Sequence, residues 1–216
     1  MKSVLVTEEL YNYIVGHSGG KDKLLTELIK ETEALEIPLI QISHDQGRFL
    51  YLLCKMIKAK DALEIGTLTG FSGIHIAKGL SEDGKLTTLE LESKHAEVAA
   101  KYFEKAGLKD KTEIFVSPAL VQMKELVTEK RKFDFIFIDA DKVSYPDYFE
   151  QALKLSHPGT VLAFDNMLKG GKVIEDAAGD ADLLAVQQTN KIISEDNRVE
   201  SMILTVGDGL CLVLVR

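Results

Sequence analysis

Apolar positions follow two alternating periodicities from residue 61 onward. Short, nearly continuous apolar runs are typical of strands buried on both faces of a sheet, and they occur at 61–65, 85–91, 112–116, 133–138 and 160–165. Between them lie segments with the spacing of amphipathic helices, at 71–80, 94–106, 118–128 and 145–155. This repeated strand–helix order predicts five parallel strands with helices on both faces of the sheet.

The C-terminal part of the chain has a different pattern. A helical segment at 180–196 precedes two apolar runs, Val199–Val206 and Leu210–Val215, which are separated only by residues 207–209. So short a connection joins antiparallel neighbours. The sequence therefore predicts an α/β fold whose seven-stranded, mostly parallel sheet ends in an antiparallel hairpin.

The N-terminal part reads as helical. Residues 7–36 predict two helices joined by a breaker at 16–20, and the second helix carries an apolar stripe. After Pro38, residues 41–47 predict a loop, which is followed by a third helix. We expect residues 1–58 to cover the functional site and 1–216 to form a single domain, because no linker or repeat interrupts the chain.

Composition narrows the class of partner. The 216 residues carry a net charge of −8, which disfavours binding to nucleic acid and to acidic membranes. No run of apolar residues is long enough to cross a membrane, and the N-terminus becomes acidic too early for a signal peptide. The two cysteines, Cys54 and Cys211, lie inside apolar runs and are expected to be buried free thiols. We expect a soluble, cytoplasmic protein.

Candidate chemistry lies at the predicted strand ends, where open sheets of this kind bind ligands. The first strand runs into LEIGTLTGFS, in which Gly66 and Gly70 flank a turn and Glu64 is available to accept hydrogen bonds from an amine. The same residues are also compatible with an ordinary strand-to-helix turn in which Thr69 or Ser72 caps the helix. The glycine pattern is not that of a dinucleotide-binding fold, and no phosphate-binding lysine accompanies it.

An acidic residue at the end of the second strand supports a nucleoside ligand. Glu90 lies 26 residues after Glu64, where a carboxylate is able to bind both hydroxyls of a ribose. Glu92 is a rival for this role. The alternative is a solvated acid in the first turn of a helix.

Hard oxygen ligands follow the fourth and fifth strands. Asp139, Asp141 and Lys142 come after the fourth strand, and Asp165 and Asn166 come after the fifth. If these strands are neighbours, three oxygens from residues 139, 165 and 166 face one point, as in an incomplete Mg²⁺ shell. The five histidines show no metal-binding spacing. Ordinary turn and capping chemistry is the alternative for these acids.

The chain resembles the cation-dependent O-methyltransferases of the catechol and caffeoyl-CoA type. The resemblance spans nearly the whole chain and is strongest in IDADK and DN, at residues 138–142 and 165–166. The other matching strings are QISHDQGRFL, LEIGTLTGFS, the acid Glu90, FDFIFIDADKVSYPDYF, DNMLKGGKV and VGDGL. The resemblance implies a Rossmann-like class I methyltransferase fold that binds S-adenosylmethionine.

The resemblance also implies roles for individual residues. Around the cofactor it implies Ile42 and Ser43 in the preceding loop, Glu64, Gly66 and Ser72 at the methionine part, Glu90 at the ribose, Ala119 at the adenine, and Asp139. The divalent cation is expected on Asp139, Asp165 and Asn166, with Mg²⁺ as the expected ion and Mn²⁺ or Ca²⁺ as alternatives. Lys142 is expected to be the general base, with Asp139 beside it in the catalytic site, and Asp208 is expected at the substrate end.

The expected reaction is methyl transfer to a hydroxyl of a small aromatic vicinal diol, such as a catechol or caffeoyl phenol. Two alternatives stay open: methylation of a hydroxyuridine-type tRNA base, and a non-catalytic nucleotide-binding module. Two departures from the family pattern bear on the substrate and the adenine. Leu168-Lys169-Gly170-Gly171 is closer to bacterial members than to the plant enzymes, and Ser117-Pro118-Ala119 replaces a common Gly-x-Ala. Because relatives are commonly dimers, we expect a homodimer.

Overall fold

A seven-stranded sheet organises the protein in this computed structural model, which describes residues 4–19 and 22–216. The strands are β1 (Asp61–Ile65), β2 (Lys85–Glu90), β3 (Thr112–Val116), β4 (Phe133–Ile138), β5 (Ser156–Phe164), β6 (Val199–Leu204) and β7 (Leu210–Val215). Their order is β3-β2-β1-β4-β5-β7-β6. The first five are parallel, and β7 pairs antiparallel with both β5 and β6. The predicted sheet and hairpin are confirmed.

Eight helices cover the sheet within the described part of the chain. They are α1 (Glu8–His17), α2 (Lys23–Ala34), α3 (His44–Ile57), α4 (Phe71–Gly79), α5 (Ser93–Lys105), α6 (Ala119–Thr128), α7 (Tyr145–Lys154) and α8 (Ala181–Glu195). One core cluster joins the sheet to α2, α3, α4 and α5, and a second joins it to α6, α7 and α8. The alternation of side chains along β4 shows the two faces: Phe135 and Phe137 belong to the first cluster, whereas Ile136 and Ile138 belong to the second.

The segment before β1 differs from the expectation. Residues 41–47 were expected to form a loop, but α3 begins at His44, with Ser43 in extended conformation as its N-cap. Gly47 explains the difference, because it lies where α3 approaches α4 and a Cβ there would overlap the ring of His75. This glycine permits close helix packing rather than a turn. In the expected breaker, Gly16 and His17 belong to α1, while Gly20 lies outside the described residues.

The fifth strand also begins earlier than expected. It starts at Ser156 rather than at residue 160, and its pairing with β4 shifts register between Phe133 and Phe135. Beyond the shift the pairing is regular up to Ile138 and Phe164. Both cysteines are buried free thiols, as expected.

Candidate active site

A cavity of 980 Å³ opens at the carboxyl end of the parallel strands. Its lining comes from the turn after β1, from the ends of β2 and β4, and from the segments that follow β3 and β5. The cavity therefore lies where the topology of an open parallel sheet predicts a ligand. Of the residues singled out from the sequence, Ile42, Gly66, Ser72, Glu90, Ala119, Asp139, Lys142, Asn166 and Asp208 line it.

Gly66 sets the close approach of the β1–α4 turn to β4. Its φ is 95°, which favours glycine, and a Cβ there would overlap the main-chain oxygen of Asp139. The turn continues through Gly70, which has a φ of 92° and serves as the N-cap of α4. The main chain of the first strand end thus lies directly against the fourth strand end.

Glu64 is fully buried and lies outside the lining of the cavity. Its carboxyl oxygens accept hydrogen bonds from Ser72 Oγ at 2.5 Å and from Thr88 Oγ1 at 2.6 Å. Burial raises the pKa of Glu64 to about 7, because the low-dielectric interior disfavours the charged form more than these donors favour it. Ser72 does line the cavity, so Glu64 is linked to the cavity wall by its hydrogen bond with Ser72.

Glu90 lines the cavity and has a fixed carboxylate. Its Oε2 accepts from the main-chain N–H of Leu68 at 2.7 Å, and its Oε1 accepts from those of Leu91 and Glu92 at 2.9 and 3.0 Å. His95 Nδ1 lies 3.4 Å from Glu90 Oε1, a neighbour that sequence reasoning missed. Glu92 also lines the cavity, but it is exposed and makes no side-chain cap to α5. The geometry therefore favours Glu90 over its rival.

Lys142 and Asp139 form a pair at the end of β4. Lys142 Nζ lies 2.9 Å from Asp139 Oδ1, and the two side chains are 12% and 21% exposed. Lys142 Nζ also donates to the hydroxyl of Tyr145 at 2.7 Å. Sequence reasoning did not single out Tyr145, which follows Lys142 by three residues at the start of α7.

Asp165 is 2% exposed at the end of β5, and its Oδ1 accepts from the main-chain N–H of Asn166 at 2.8 Å. Burial and the neighbouring charge of Asp139 raise the pKa of Asp165 to about 6. Asn166 adopts a left-handed conformation with a φ of 58° and lines the cavity. The structure therefore brings the three expected cation ligands to adjacent strand ends.

The donor set fits a hard divalent cation. Two carboxylates that repel each other in a buried place are stabilised by a positive charge, and with the amide oxygen of Asn166 they offer the oxygen ligands that Mg²⁺ prefers. Among residues 4–19 and 22–216, no three His, Cys, Asp or Glu side chains converge as metal ligands. The set at the ends of β4 and β5 differs from such a cluster, because it consists of two carboxylates and the amide of Asn166.

The remaining expected residues divide between the cavity and its support. Ile42 and Ala119 line the cavity. Ser43 occupies the N-cap position of α3 without a capping bond from its side chain, and its Oγ donates to Asp45 at 2.6 Å. Asp208 lines the cavity, while its Oδ1 accepts from the main-chain N–H of Gly170 at 2.6 Å and fastens the loop after β5.

Comparison with known proteins decides the family. A family model described as O-methyltransferase matches residues 15–216. The chain belongs to the O-methyltransferase family. The resemblance predicted from the sequence is therefore confirmed. Among the described residues, no helix combines the length and apolarity that a membrane span requires.

Individual relatives are similar over nearly their full length. A catechol O-methyltransferase of Niastella koreensis is 37% identical over 217 residues, covering 98% of each chain. A catechol O-methyltransferase of Mycobacterium tuberculosis is 40% identical over 202 residues, covering 91% of this chain and 90% of the relative. A crystal structure of an O-methyltransferase from Bacillus cereus in complex with SAH superimposes with a TM-score of 0.90 at 37% identity, covering 96% of this chain and 99% of that one.

Proposed function

We propose that this protein transfers a methyl group from S-adenosylmethionine to one hydroxyl of an aromatic vicinal diol, with a divalent cation bound by Asp139, Asp165 and Asn166. One observation carries the proposal: the Lys142–Asp139 pair ends β4 directly beside the Asp165–Asn166 end of β5. The catechol O-methyltransferases among the relatives support the substrate class.

The methyl donor lies across the ends of β1, β2 and β4. Glu90 offers a carboxylate that three main-chain N–H groups and His95 already orient, and it takes the ribose hydroxyls. Ala119 at the start of α6 borders the adenine, and the turn at Gly66 borders the methionine part. The SAH bound in the Bacillus cereus relative supports this donor.

The acceptor hydroxyl needs help to ionise. A phenol has a pKa near 10, so forming the phenolate at neutral pH costs about 4 kcal/mol. A divalent cation, when bound, supplies the positive charge that favours the ionised hydroxyl and a fixed point for both oxygens of a diol.

Lys142 is placed to move the proton. In its neutral form, the Lys142 amine accepts the proton of the hydroxyl that reacts, and Asp139 beside it stabilises the resulting ammonium. The hydroxyl oxygen then forms a bond to the methyl carbon as the bond from that carbon to sulfur breaks, which leaves S-adenosylhomocysteine. Alignment of the two reactants in the cavity supplies much of the remaining acceleration.

No specific observation favours a tRNA substrate. Seven acidic residues and three lysines line the cavity, and the lysines are Lys142, Lys169 and Lys172. An acidic lining repels the phosphates of a polynucleotide, whose binding calls for a basic surface. The retained Lys142 and acidic strand ends support catalysis over a purely nucleotide-binding module.

We infer a homodimer and a cytoplasmic location for the single domain. Exposed apolar side chains at the N-terminus and before α3 support a subunit contact, and they include Val4, Leu5, Val6, Tyr13 and Ile40. Two buried free thiols fit a reducing compartment. Light scattering that gives the mass of one chain would refute the dimer.

The test of the proposed reaction is mass analysis of product from S-adenosylmethionine with 3,4-dihydroxybenzoate and caffeate. The matched control is 4-hydroxybenzoate, which has one hydroxyl and cannot hold a cation with two oxygens. We expect one added methyl on the diols and none on the monophenol. Equal methylation of the monophenol contradicts the diol requirement, and no product from any phenol contradicts the proposed reaction.

A further inference from the structure

The environment of Lys142 contains a second acceptor besides Asp139. Lys142 begins a short 3₁₀ turn that leads into α7, and its side chain is 12% exposed. Its Nζ lies 2.9 Å from Asp139 Oδ1 and 2.7 Å from the hydroxyl oxygen of Tyr145. Two fixed acceptors therefore face one amine.

Tyr145 is held rigidly. The side chain is fully buried, and its ring packs against Phe164 at a centroid distance of 5.6 Å. The hydroxyl lies 3.0 Å from the main-chain oxygen of Asp165 and 3.3 Å from that of Ile138, one of which accepts its proton. Because the single proton is committed to a carbonyl, the hydroxyl oxygen is left to accept from Lys142.

The tyrosine is an acceptor and not a base. Burial raises the pKa of Tyr145 well above its usual value, so the hydroxyl keeps its proton near neutral pH. The oxygen also spans the two strand ends that carry Asp139 and Asp165, since it reaches the main chain of both β4 and the residue after β5. Its position is therefore tied to the site rather than to α7 alone.

Two acceptors fix the direction of the amine. A neutral amine has two N–H bonds and one lone pair, and when Asp139 and Tyr145 take the two N–H bonds, the lone pair has one tetrahedral direction left. A base transfers a proton efficiently only when that direction points at the hydroxyl. We propose that Tyr145 is the positioning residue for Lys142, through the acceptor role of its hydroxyl oxygen. The inference rests on the proposed methyl transfer and on Lys142 as its base.

The direct test is Tyr145→Phe, which removes the oxygen and keeps the ring. It is assayed with two diols, catechol and 4-nitrocatechol, whose hydroxyl is more acidic and depends less on a base. With catechol, kcat is expected to fall about tenfold or more. General-base catalysis accelerates a reaction by about 10²- to 10⁴-fold, and the variant loses only the orientation of the base. With 4-nitrocatechol the fall is expected to be several times smaller. The affinity for S-adenosylmethionine, measured by calorimetry, is expected to change less than about twofold, because the substitution removes no contact with S-adenosylmethionine.

Tyr102→Phe is the matched control. Tyr102 is also buried, and its hydroxyl donates to Glu31 Oε2 at 2.9 Å, on α5 and away from the cavity. Tyr102→Phe loses one part-buried hydrogen bond, whereas Tyr145→Phe loses the bond to a main-chain carbonyl and the bond from Lys142. A larger fall in Tm is therefore expected for Tyr145→Phe, and only this variant is expected to change kcat. Equal losses of kcat with both diols show a structural role and overturn the inference, as does an unchanged kcat.

Failure of the proposed function is distinguishable from failure of this inference. If the proposed function is wrong, the wild-type protein itself transfers no methyl group to the diols. Should Tyr145→Phe not fold, Lys142→Ala is assayed with added amines while Tyr145 stays in place. Rescue by methylamine, which has N–H bonds for both acceptors, but not by trimethylamine supports the inference. Equal rescue by the two amines, or rescue by neither, overturns it.

Discussion

Asp139 and Asp165 emerge at the same level of the sheet, because the preceding residues Ile138 and Phe164 are partners in the parallel pairing of β4 and β5. Burial and the charge of Asp139 raise the pKa of Asp165 to about 6. Two carboxylates held together in this way favour positive charge beside them, which Lys142 supplies in part. The register of two strands therefore creates the demand for positive charge that the proposed reaction uses.

Gly66→Ala is expected to destabilise the protein by about 2–5 kcal/mol, since a left-handed alanine costs about 1–2 and overpacking adds about 1–3. The overlap is with the main-chain oxygen of Asp139, which cannot move freely within the strand end. Urea unfolding measures the effect. Gly107→Ala is the control, because its φ of 70° is also left-handed and no heavy atom lies within 4 Å of its Cβ position. Equal losses in the two variants would show that the close approach at residue 66 is unimportant.

Glu64 predicts an unusual dependence of stability on pH. Its pKa of about 7 in the folded state lies above the ordinary glutamate value of 4.5, so between these values the folded state binds more protons than the unfolded state. The free energy of unfolding is then expected to fall as pH rises from about 4.5 to 7, by up to about 3 kcal/mol. Below pH 4.5 Glu64 is protonated in both states and does not destabilise the fold. Above pH 7 the full cost of burying its charge is present.

Glu64→Gln separates this effect from other titrations. Urea unfolding at several pH values is expected to give a flatter profile for this variant than for the wild type, because glutamine does not titrate. The exposed acid at Glu97 provides the control variant Glu97→Gln, which should follow the wild-type profile. Parallel profiles for the wild type and Glu64→Gln contradict the raised pKa.

Glu90→Gln is expected to weaken the binding of S-adenosylmethionine by about 10- to 100-fold, the effect of losing charged hydrogen bonds worth about 1.5–3 kcal/mol. In the wild type, main-chain N–H groups donate to both carboxylate oxygens of Glu90. The glutamine amide nitrogen is itself a donor, so it cannot accept one of these hydrogen bonds. Calorimetry measures the affinity. Glu92→Gln should bind nearly normally, and the reverse pattern would assign the ribose to Glu92.

Asp208→Ala is expected to raise KM for the diol about tenfold and to leave the affinity for S-adenosylmethionine unchanged. The reason is the lost hydrogen bond to Gly170, which fastens the loop that carries Lys169 at the cavity. Asp176→Ala is a matched control, because Asp176 accepts from the main-chain N–H of Ala178 in a nearby loop outside the cavity lining. A larger effect of the control on KM contradicts the role of Asp208.

The sequence predicts strand ends better than it predicts side-chain neighbours. The adjacency of β4 and β5 follows from the doubly wound order, so the sequence alone places Asp139, Asp165 and Asn166 at neighbouring strand ends. Lys142 and Tyr145 differ, because their contact needs the 3₁₀ turn between β4 and α7. The three-residue spacing is the only signal of that contact in the sequence.

Other differences arise from packing between distant segments. The start of α3 depends on His75, against which Gly47 packs, and a glycine in isolation indicates a turn more readily than close helix packing. His95 meets Glu90 only because the main chain turns back after β2. The resemblance implies Ser43 near the cofactor, and in the structure its Oγ donates to Asp45 within the first turn of α3.

The central claim is that the ends of β4 and β5 hold a divalent cation needed for methyl transfer. The most direct measurement is the rate of labelled methyl transfer from S-adenosylmethionine to 3,4-dihydroxybenzoate, after EDTA treatment and after Mg²⁺ is restored, for the wild type and for Asp165→Asn. We predict that EDTA abolishes transfer by the wild type, that Mg²⁺ restores it, and that the variant stays inactive in both conditions. Wild-type transfer that is unchanged by EDTA would contradict the claim.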